Sequence, residues 1–395
     1  MSKATPRIPL YTQIREYVLD KINQNIWKPG DRLPSENELA EQFNVSRITV
    51  KNALNQLIEN QLIYRIQGRG SFVSHDSSGE AVIYRPEPAV SGGKTKQLVA
   101  YLMPRLGNTF TAQLLNGIEN ELTKSNFRLI YCKTDDSQQT EKDILREVIQ
   151  LGVKGIIIFP VDGETYNEEI LRLTLSNFPL VVVDRYLRGI ETNCVCSDNV
   201  EGAREATAHL IDNGHSHIGF ISTIYQGTTS IEDRLVGYEK ALAEKHLPVD
   251  HRLRLVHFDA EQVNVILKEG KADPSAKEEI KTFLKQNPDM TAVFAINAAV
   301  GLTVIEAAKE LNIRVPEQLS VVFFDNYELA SLSSVPPTCV SQEEQVMGEE
   351  AARLLVSIIE NPKQERRRII TSNKLIIRNS VAPNPQLHNI HTQIN

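Results

Sequence analysis

Arg47, Thr49, Lys51 and Asn52 stand close together in the stretch RITVKNAL, and all four are of types that read base edges or neutralise phosphate. A guanidinium forks across O6 and N7 of guanine, a hydroxyl or amide reaches a base edge, and an ammonium rests on a phosphate oxygen. The stretch follows Ser46, a residue suited to capping a helix, and Val50, Leu54, Leu57 and Ile58 recur at helical spacing. That apolar stripe turns inward and leaves the polar group near the exposed first turn. Taken alone, Arg47 is equally well read as a solvated arginine at a helix start. Its surroundings weigh against that.

Upstream, LYTQIREYVLDKINQ places Leu10, Ile14, Tyr17, Val18 and Ile22 on one stripe, which predicts an amphipathic helix ended by KPGD. In PSENELAEQF, Ser35 and Glu38 have the spacing of a capping box, and Leu39 and Phe43 continue an apolar face. Downstream, LIYRI and SFVS alternate like two short strands around QGRG, whose glycines allow a tight hairpin. Three helices and a hairpin make a winged helix-turn-helix, in which the third helix enters the major groove and the hairpin tip meets the backbone or minor groove. Charge agrees. Residues 1–75 hold ten Lys and Arg against seven Asp and Glu, a net of +3, so the remainder carries −10 of the chain's −7. Only the front piece suits phosphate.

The motifs PLYTQIREYVLDKI, GDRLPSENELA, NVSRITVKNAL and GRGSFV, within residues 8–75, resemble the GntR class of bacterial regulators. The resemblance implies double-stranded operator DNA as partner. It places the contacts on Asn37 at the start of the second helix, on Arg47, Ile48, Thr49 and Lys51 of the third, and on Gln67, Gly68 and Arg69 of the wing. Ile48 is apolar where such proteins are often polar, and suits a thymine methyl.

Residues 76–96, rich in Ser, Gly and Pro, read as a flexible linker. From residue 97 the pattern changes. RLIYCK, GIIIFP, PLVVVD, HIGFIS, AVFAIN and LSVVFFD alternate with helical segments, which predicts an α/β protein with parallel sheets covered on both faces. Ligands of such sheets bind at the carboxyl ends of strands, here Pro104, Pro160, Asp162, Asp184, Arg185, Asn297 and Asp325. Carboxylates, amides and arginines suit a hydroxylated small molecule. Each strand-end Asp or Asn also suits capping of the next helix, and Arg234 a solvated helix face.

CVCSDNVEGAREATAHLIDNGHSHIGFIS, EDRLVGYEKAL, AVFAIN, LSVVFFDN and PPTCVSQEEQVMGEEAARLL resemble the effector domain of the LacI/GalR repressor family, itself similar to periplasmic sugar-binding proteins. The resemblance covers residues 97–380. It implies a bilobed periplasmic-binding-protein-like domain with two parallel-sheet α/β lobes, three chain crossings, a small sugar effector and a homodimer. The effector contacts it implies are Asp198, Arg234, Asn297 and Asp325, with Asp184 and Arg185 beside them and Phe110 stacking on a sugar face. One lobe would combine 97–223 with 330–360, the other 224–329 with 361–380. Asn297-Ala298 and VVFFD depart from the family's usual Asn-Asp pair and glycine. A GntR-type head on such a domain makes arabinose or a similar sugar the first effector to expect.

Composition fits a globular chain, 41% hydrophobic and 24% charged, without an apolar run long enough to cross a bilayer or a signal-peptide core. The expectation is a cytoplasmic protein. Cys132, Cys194, Cys196 and Cys339 are expected to be reduced and structural. No nucleotide-binding loop, zinc-protease motif or nucleophile elbow occurs, so neither catalysis nor a cofactor is expected. His215 and His217 read as helix-end residues. The polar tail 381–395 is expected to be disordered, and its prolines argue against a helical metal pair at His388 and His391. Two other readings are a back domain that answers mainly to a protein partner, and a sugar-modifying enzyme on the same lobes.

Overall fold

The computed structural model describes residues 10–59, 62–66, 69–74, 96–161, 166–224 and 227–384. Gln67, Gly68, Asp162, His388, His391 and nearly all of the 76–96 linker lie outside these residues. The chain divides into two compact units between Lys94 and Thr95.

The first unit is a winged helix-turn-helix. Helices α1 (Leu10–Asn23), α2 (Glu36–Phe43) and α3 (Arg47–Glu59) precede the antiparallel hairpin of β1 (Ile63–Ile66) and β2 (Gly70–Val73). The capping box forms as the spacing requires: the Glu38 carboxylate accepts from Ser35 N at 2.6 Å, and Ser35 Oγ accepts from Glu38 N at 3.3 Å. Asn44 ends α2 in the left-handed conformation, φ 51°, which asparagine tolerates and which sets the sharp turn into α3. Ile14, Val18 and Ile22 from α1, Leu39 from α2 and Val50, Leu54 and Leu57 from α3 meet in one buried core with Ile63 and Val73 of the hairpin. Gly70 adopts φ +113° with the Arg32 side chain packed over it, and a side chain there would be strained.

In the second unit, β3 (Gln97–Met103), α4 (Thr109–Lys124), β4 (Phe127–Lys133), α5 (Gln138–Gln150), β5 (Gly155–Ile158), α6 (Glu168–Leu175), β6 (Leu180–Val183) and β7 (Cys194–Ser197) build the first lobe. The chain then crosses. The second lobe takes α7 (Asn199–Asp212), β8 (Ile218–Thr223), α8 (Thr229–Glu244), β9 (Arg254–Phe258), α9 (Ala260–Glu269), α10 (Pro274–Gln286), β10 (Ala292–Ala295), α11 (Ala298–Glu310), β11 (Ser320–Phe324) and β12 (Thr338–Ser341). It crosses back for α12 (Glu344–Glu360) and β13 (Arg368–Thr371), and a last time for β14 (Lys374–Ile376). The sheets run β13-β7-β6-β5-β3-β4 and β14-β12-β11-β10-β8-β9, the same order twice over. All neighbours are parallel except β12 with β14. Strands buried on both faces, such as β5 and β6, explain the unbroken apolar runs.

The lobe boundaries differ from the expected ones. Residues 199–223 belong to the second lobe, because α7 packs on α8 and on β11 and β12, and β8 pairs with β10. Residues 338–341 also belong there, while α12 and β13 complete the first lobe. The tail is corrected as well. Its first four residues dock on the second lobe: Val381 packs against the core, Ala382 exchanges hydrogen bonds with the Ser320 hydroxyl, and Asn384 donates to Gly214 O at 3.0 Å. Residues 385–395 lie outside the described ones.

Helix α4, whose first turn reaches the ligand end of the sheet, is held by backbone contact with α12. A Cβ on Gly117 would stand 2.1 Å from Gln345 O, and one on Gly348 2.3 Å from Leu114 O. Gly117→Ala must therefore separate the two helices, and it is expected to lower unfolding free energy by about 1–3 kcal/mol, as over-packing does. Urea unfolding checks this; an unchanged midpoint and slope would contradict the close approach.

Candidate functional site

On the first unit, Asn37, Arg47, Ile48, Lys51 and Arg69 are all exposed. Ile48 is 71% exposed. An isoleucine that open, on the face a recognition helix presents, is little covered by the described residues of the unit. Thr49 is partly buried and its hydroxyl lies 2.9 Å from Ser46 Oγ within the helix cap, so it is less free than its neighbours. Glu36, which the sequence reading passed over, joins this face: its carboxylate accepts from Arg47 Nε at 3.0 Å and also from Arg65 on β1.

In the second unit a cavity of about 580 Å³ opens between the two lobes at the carboxyl ends of both sheets. Six of the seven expected effector residues line it: Phe110, Asp184, Arg185, Arg234, Asn297 and Asp325. The repeat of the lobes explains the pairing of the two aspartates. Asp184 follows β6 and Asp325 follows β11; both have positive φ, 67° and 74°, and each backbone amide donates at 2.9 Å to the adjacent strand, at Val195 O and Val340 O. The two lobes thus present a carboxylate from equivalent positions.

On the second lobe's wall, Arg234 is only 5% exposed. Its Nε donates to Asn199 Oδ1 at 2.8 Å, its Nη1 to Ile296 O at 2.9 Å, and its guanidinium lies 3.9 Å above the Phe324 ring. These contacts engage Nε and Nη1 and fix the plane of the fork. Burial lowers its pKa, against the opposing charges of Asp325 and Asp184. Burial likewise raises that of Asp325, opposed by Arg234 and by Gln342, which donates to Asp325 Oδ1 at 2.6 Å. Asn297 caps α11, its Oδ1 accepting from Val300 N at 3.0 Å, so capping and lining are both true of it. On the first lobe's wall, Arg185 lies 3.4 Å from Asp184 and 4.8 Å from the Phe159 ring centre, and Phe110 meets Phe159 edge to face at 6.1 Å. Aromatic edges with carboxylates and guanidinium donors suit a small ligand with apolar faces and many hydroxyls.

Asp198 is not among the lining residues. Its carboxylate caps α7 by accepting from Glu201 N at 3.0 Å, and its own amide is tied to Thr371 O. The next residue, Asn199, holds Arg234 instead. Asp198 with Glu201 three positions on was a readable capping signal. Lining residues that the sequence reading missed include Asn108, Ser230, Asn264, Lys268 and Gln342. Asn264 and Lys268 come from α9, and no strand-end rule points to them. Gln342 sits at a chain crossing and also accepts from Ser197 Oγ at 2.6 Å. His215 is a buried tether, bonded to Thr291 and to Ala382 O of the tail.

Glu141 of α5 lies beneath the cavity rim, accepting from Val161 N at 2.8 Å and from Asn167 at 2.9 Å. Burial pushes its pKa from 4.5 up to about 7, against those hydrogen bonds and the Arg185 charge. The folded state holds this proton more tightly than the unfolded state. Its stabilising contribution is therefore full below pH 4.5 and lost as pH rises through about 7. The unfolding free-energy difference between wild type and Glu141→Ala is expected to change by about 3 kcal/mol across that window. A pH-independent difference would contradict it.

Residues 10–73 match the gntR family of bacterial regulatory proteins, and residues 207–381 match the periplasmic binding protein-like domain. The arabinose metabolism transcriptional repressor of Geobacillus stearothermophilus is 30% identical over 94% of this chain and 98% of its own. The chain belongs to the arabinose metabolism repressor family. The protein of the same name from Halalkalibacterium halodurans is 28% identical over 94% of this chain and 96% of its own. Among solved structures, the transcriptional regulator CelR in complex with cellobiose superposes with a TM-score of 0.63 at 22% identity, over 88% of this chain and all of that one; it bears on fold alone. The member described here is thus a DNA-binding transcriptional regulator that joins a GntR-type head to a bilobed sugar-binding-type domain. No helix among the described residues is long and apolar enough to cross a membrane.

Proposed function

We propose that this protein represses carbohydrate-utilisation genes as a homodimer on a two-fold operator, and that a small sugar in the cavity between the lobes controls its grip. Arabinose or a close pentose is the first candidate. The observation that carries the sugar reading is the convergence of Arg234, Asn297 and Asp325 from one lobe with Asp184, Arg185 and Phe110 from the other. Such a site gains most when both walls engage one ligand, so closed lobes bind it better than open ones and the ligand biases the equilibrium. Exposed Arg47, Ile48 and Lys51 on α3 support the DNA reading. A domain that answers mainly to a protein partner fits less well, because Arg234 and Asp325 both line open space rather than turning from it.

The test is a thermal-shift panel of arabinose, xylose, ribose, glucose and galactose, followed by titration of the stabilising sugar against operator affinity. One sugar is expected to raise the melting temperature and to change operator affinity at least about tenfold, within the range of ordinary coupling energies. If every sugar leaves both quantities unmoved, the sugar switch is lost.

A further inference from the structure

We infer that a second cavity, on the first lobe and apart from the cleft, is a binding site for a small polyanion, and that a polyanion bound there weakens the cleft's hold on its sugar. The site stands independently of the sugar reading; its effect on the cleft rests on that reading.

The cavity, about 1000 Å³, lies between the loop that joins β6 to β7 and the segment that leads into β13. Tyr186 and Arg188 come from the loop, Arg366 and Arg368 from the segment. Three guanidinium groups around one hollow are unexpected in the acidic part of the chain, and their partners make them more so. Elsewhere in the unit Arg204, Arg252 and Arg254 each pair with a carboxylate. Arg366 instead donates to neutral acceptors, Glu191 O at 3.1 Å, Thr174 O at 2.7 Å and Asn177 Oδ1 at 3.2 Å. Arg368 lies 3.7 Å from the Tyr186 ring centre, beside the Cys196 thiol. Among the described residues neither Arg366 nor Arg368 has a carboxylate partner, and the cavity's own Glu191 and Glu365 are exposed and pair with none of the three.

A guanidinium without a carboxylate is a ready partner for phosphate or carboxylate oxygens, to which it offers paired N–H donors. The Tyr186 ring holds Arg368 by its face, which keeps the in-plane donors of the fork. Arg366 secures the loop through backbone carbonyls. Arg188 and Arg368 then supply donors from two separate segments, which suits an anion with oxygens on more than one side.

The same loop ties the two lobes together. The Tyr186 hydroxyl donates to Asp233 at 3.0 Å, the Tyr186 backbone exchanges hydrogen bonds with the Thr229 hydroxyl, and Arg188 donates to Glu232 at 2.7 Å. All three partners lie on α8, which also carries Arg234 of the cleft. A polyanion that engages Arg188 draws it from Glu232 and brings negative charge near that carboxylate. Both effects loosen a tie between lobes whose closure the sugar needs.

The experiment titrates the full-length protein calorimetrically with inorganic pyrophosphate and with citrate, so that the two arms separate phosphate from carboxylate. At least one is expected to bind, more weakly as salt is raised. Arg368→Gln should lower that affinity at least about tenfold, the weight of one charge-assisted hydrogen bond. Its melting temperature and sugar affinity should not change, because Arg368 is exposed and does not line the cleft. Arg368→Lys, which keeps the charge, should stay within about threefold of wild type. The saturating anion is expected to lower affinity for the sugar of the thermal panel about fivefold, and the saturating sugar to lower anion affinity by the same factor. Arg188→Gln should abolish that coupling. Binding of neither anion, or equal binding by Arg368→Gln, overturns the site. If Arg368→Gln weakens operator binding and not anion binding, these arginines serve duplex phosphates and the site is likewise overturned. Anion binding that leaves sugar affinity unmoved overturns the coupling alone. If no sugar binds, the sugar reading fails while the anion titrations still decide the site.

Discussion

Arg234→Met is expected to weaken binding of the effector sugar at least about 100-fold, since a charge-assisted fork in a desolvated site contributes roughly 2–5 kcal/mol. The physical reason lies in what holds the guanidinium. Asn199, Ile296 O and the Phe324 ring fix three sides of it, so it meets the ligand without reorganisation. Removing the cation also takes away a charge that opposes the cost of burying Asp325, while Asp184 keeps Arg185 at 3.4 Å, and with the buried Asn199 and Ile296 acceptors left unmet the domain should lose about 1–3 kcal/mol of stability. Arg234→Lys separates the two effects. It keeps the charge, and with it most of the stability, but an ammonium cannot satisfy Asn199 and Ile296 and still reach a ligand, so sugar affinity stays low. Isothermal titration with the sugar found in the thermal panel, alongside urea unfolding, measures both. Sugar affinity in Arg234→Met within threefold of wild type would remove Arg234 from the site.

Arg47→Ala is expected to abolish recognition of the operator, leaving only salt-sensitive binding about 10²-fold weaker, and to leave sugar affinity unchanged. The loss combines the base contact, about 1–3 kcal/mol, with the Glu36 charge left facing phosphate with one partner fewer. Folding should be barely affected, because Arg47 is exposed and its ion pair contributes little. The discriminating measurement pairs operator titration with sugar titration on the same preparation. A parallel loss of both would mean that the chain does not divide its work between two units as proposed.

Much of this protein was legible before any coordinates. The capping box at Ser35 and Glu38, the inward stripe of α3 and the alternating hairpin strands are local patterns governed by hydrogen bonds and side-chain period, and they formed as written. The strand-end rule found Asp184, Arg185, Asn297 and Asp325 because in parallel sheets the loops after the strands collect at one end. Asp198 came from the family resemblance alone, and its local spacing to Glu201 spoke for the cap that it forms. Gln342, Asn264, Lys268 and Glu36 had no comparable signal: Gln342 and Glu36 bond partners more than ten residues away in sequence, Asn264 and Lys268 line the cavity from within a helix, and no local period encodes either.

The amino-acid order alone thus determined which segments are helix or strand, which faces are buried, and which residue types could serve DNA and sugar. All of these follow from interactions within a few residues. The path of the chain between lobes was decided only by tertiary packing. The lobe assignment drawn from the family resemblance puts residues 199–223 in the first lobe, yet α7 rests on α8 across a backbone contact at Gly237, whose Cβ would stand 2.2 Å from Val200 O. The same packing put Asn199 rather than Asp198 against Arg234, and turned one glutamate toward two arginines eleven and twenty-nine residues away.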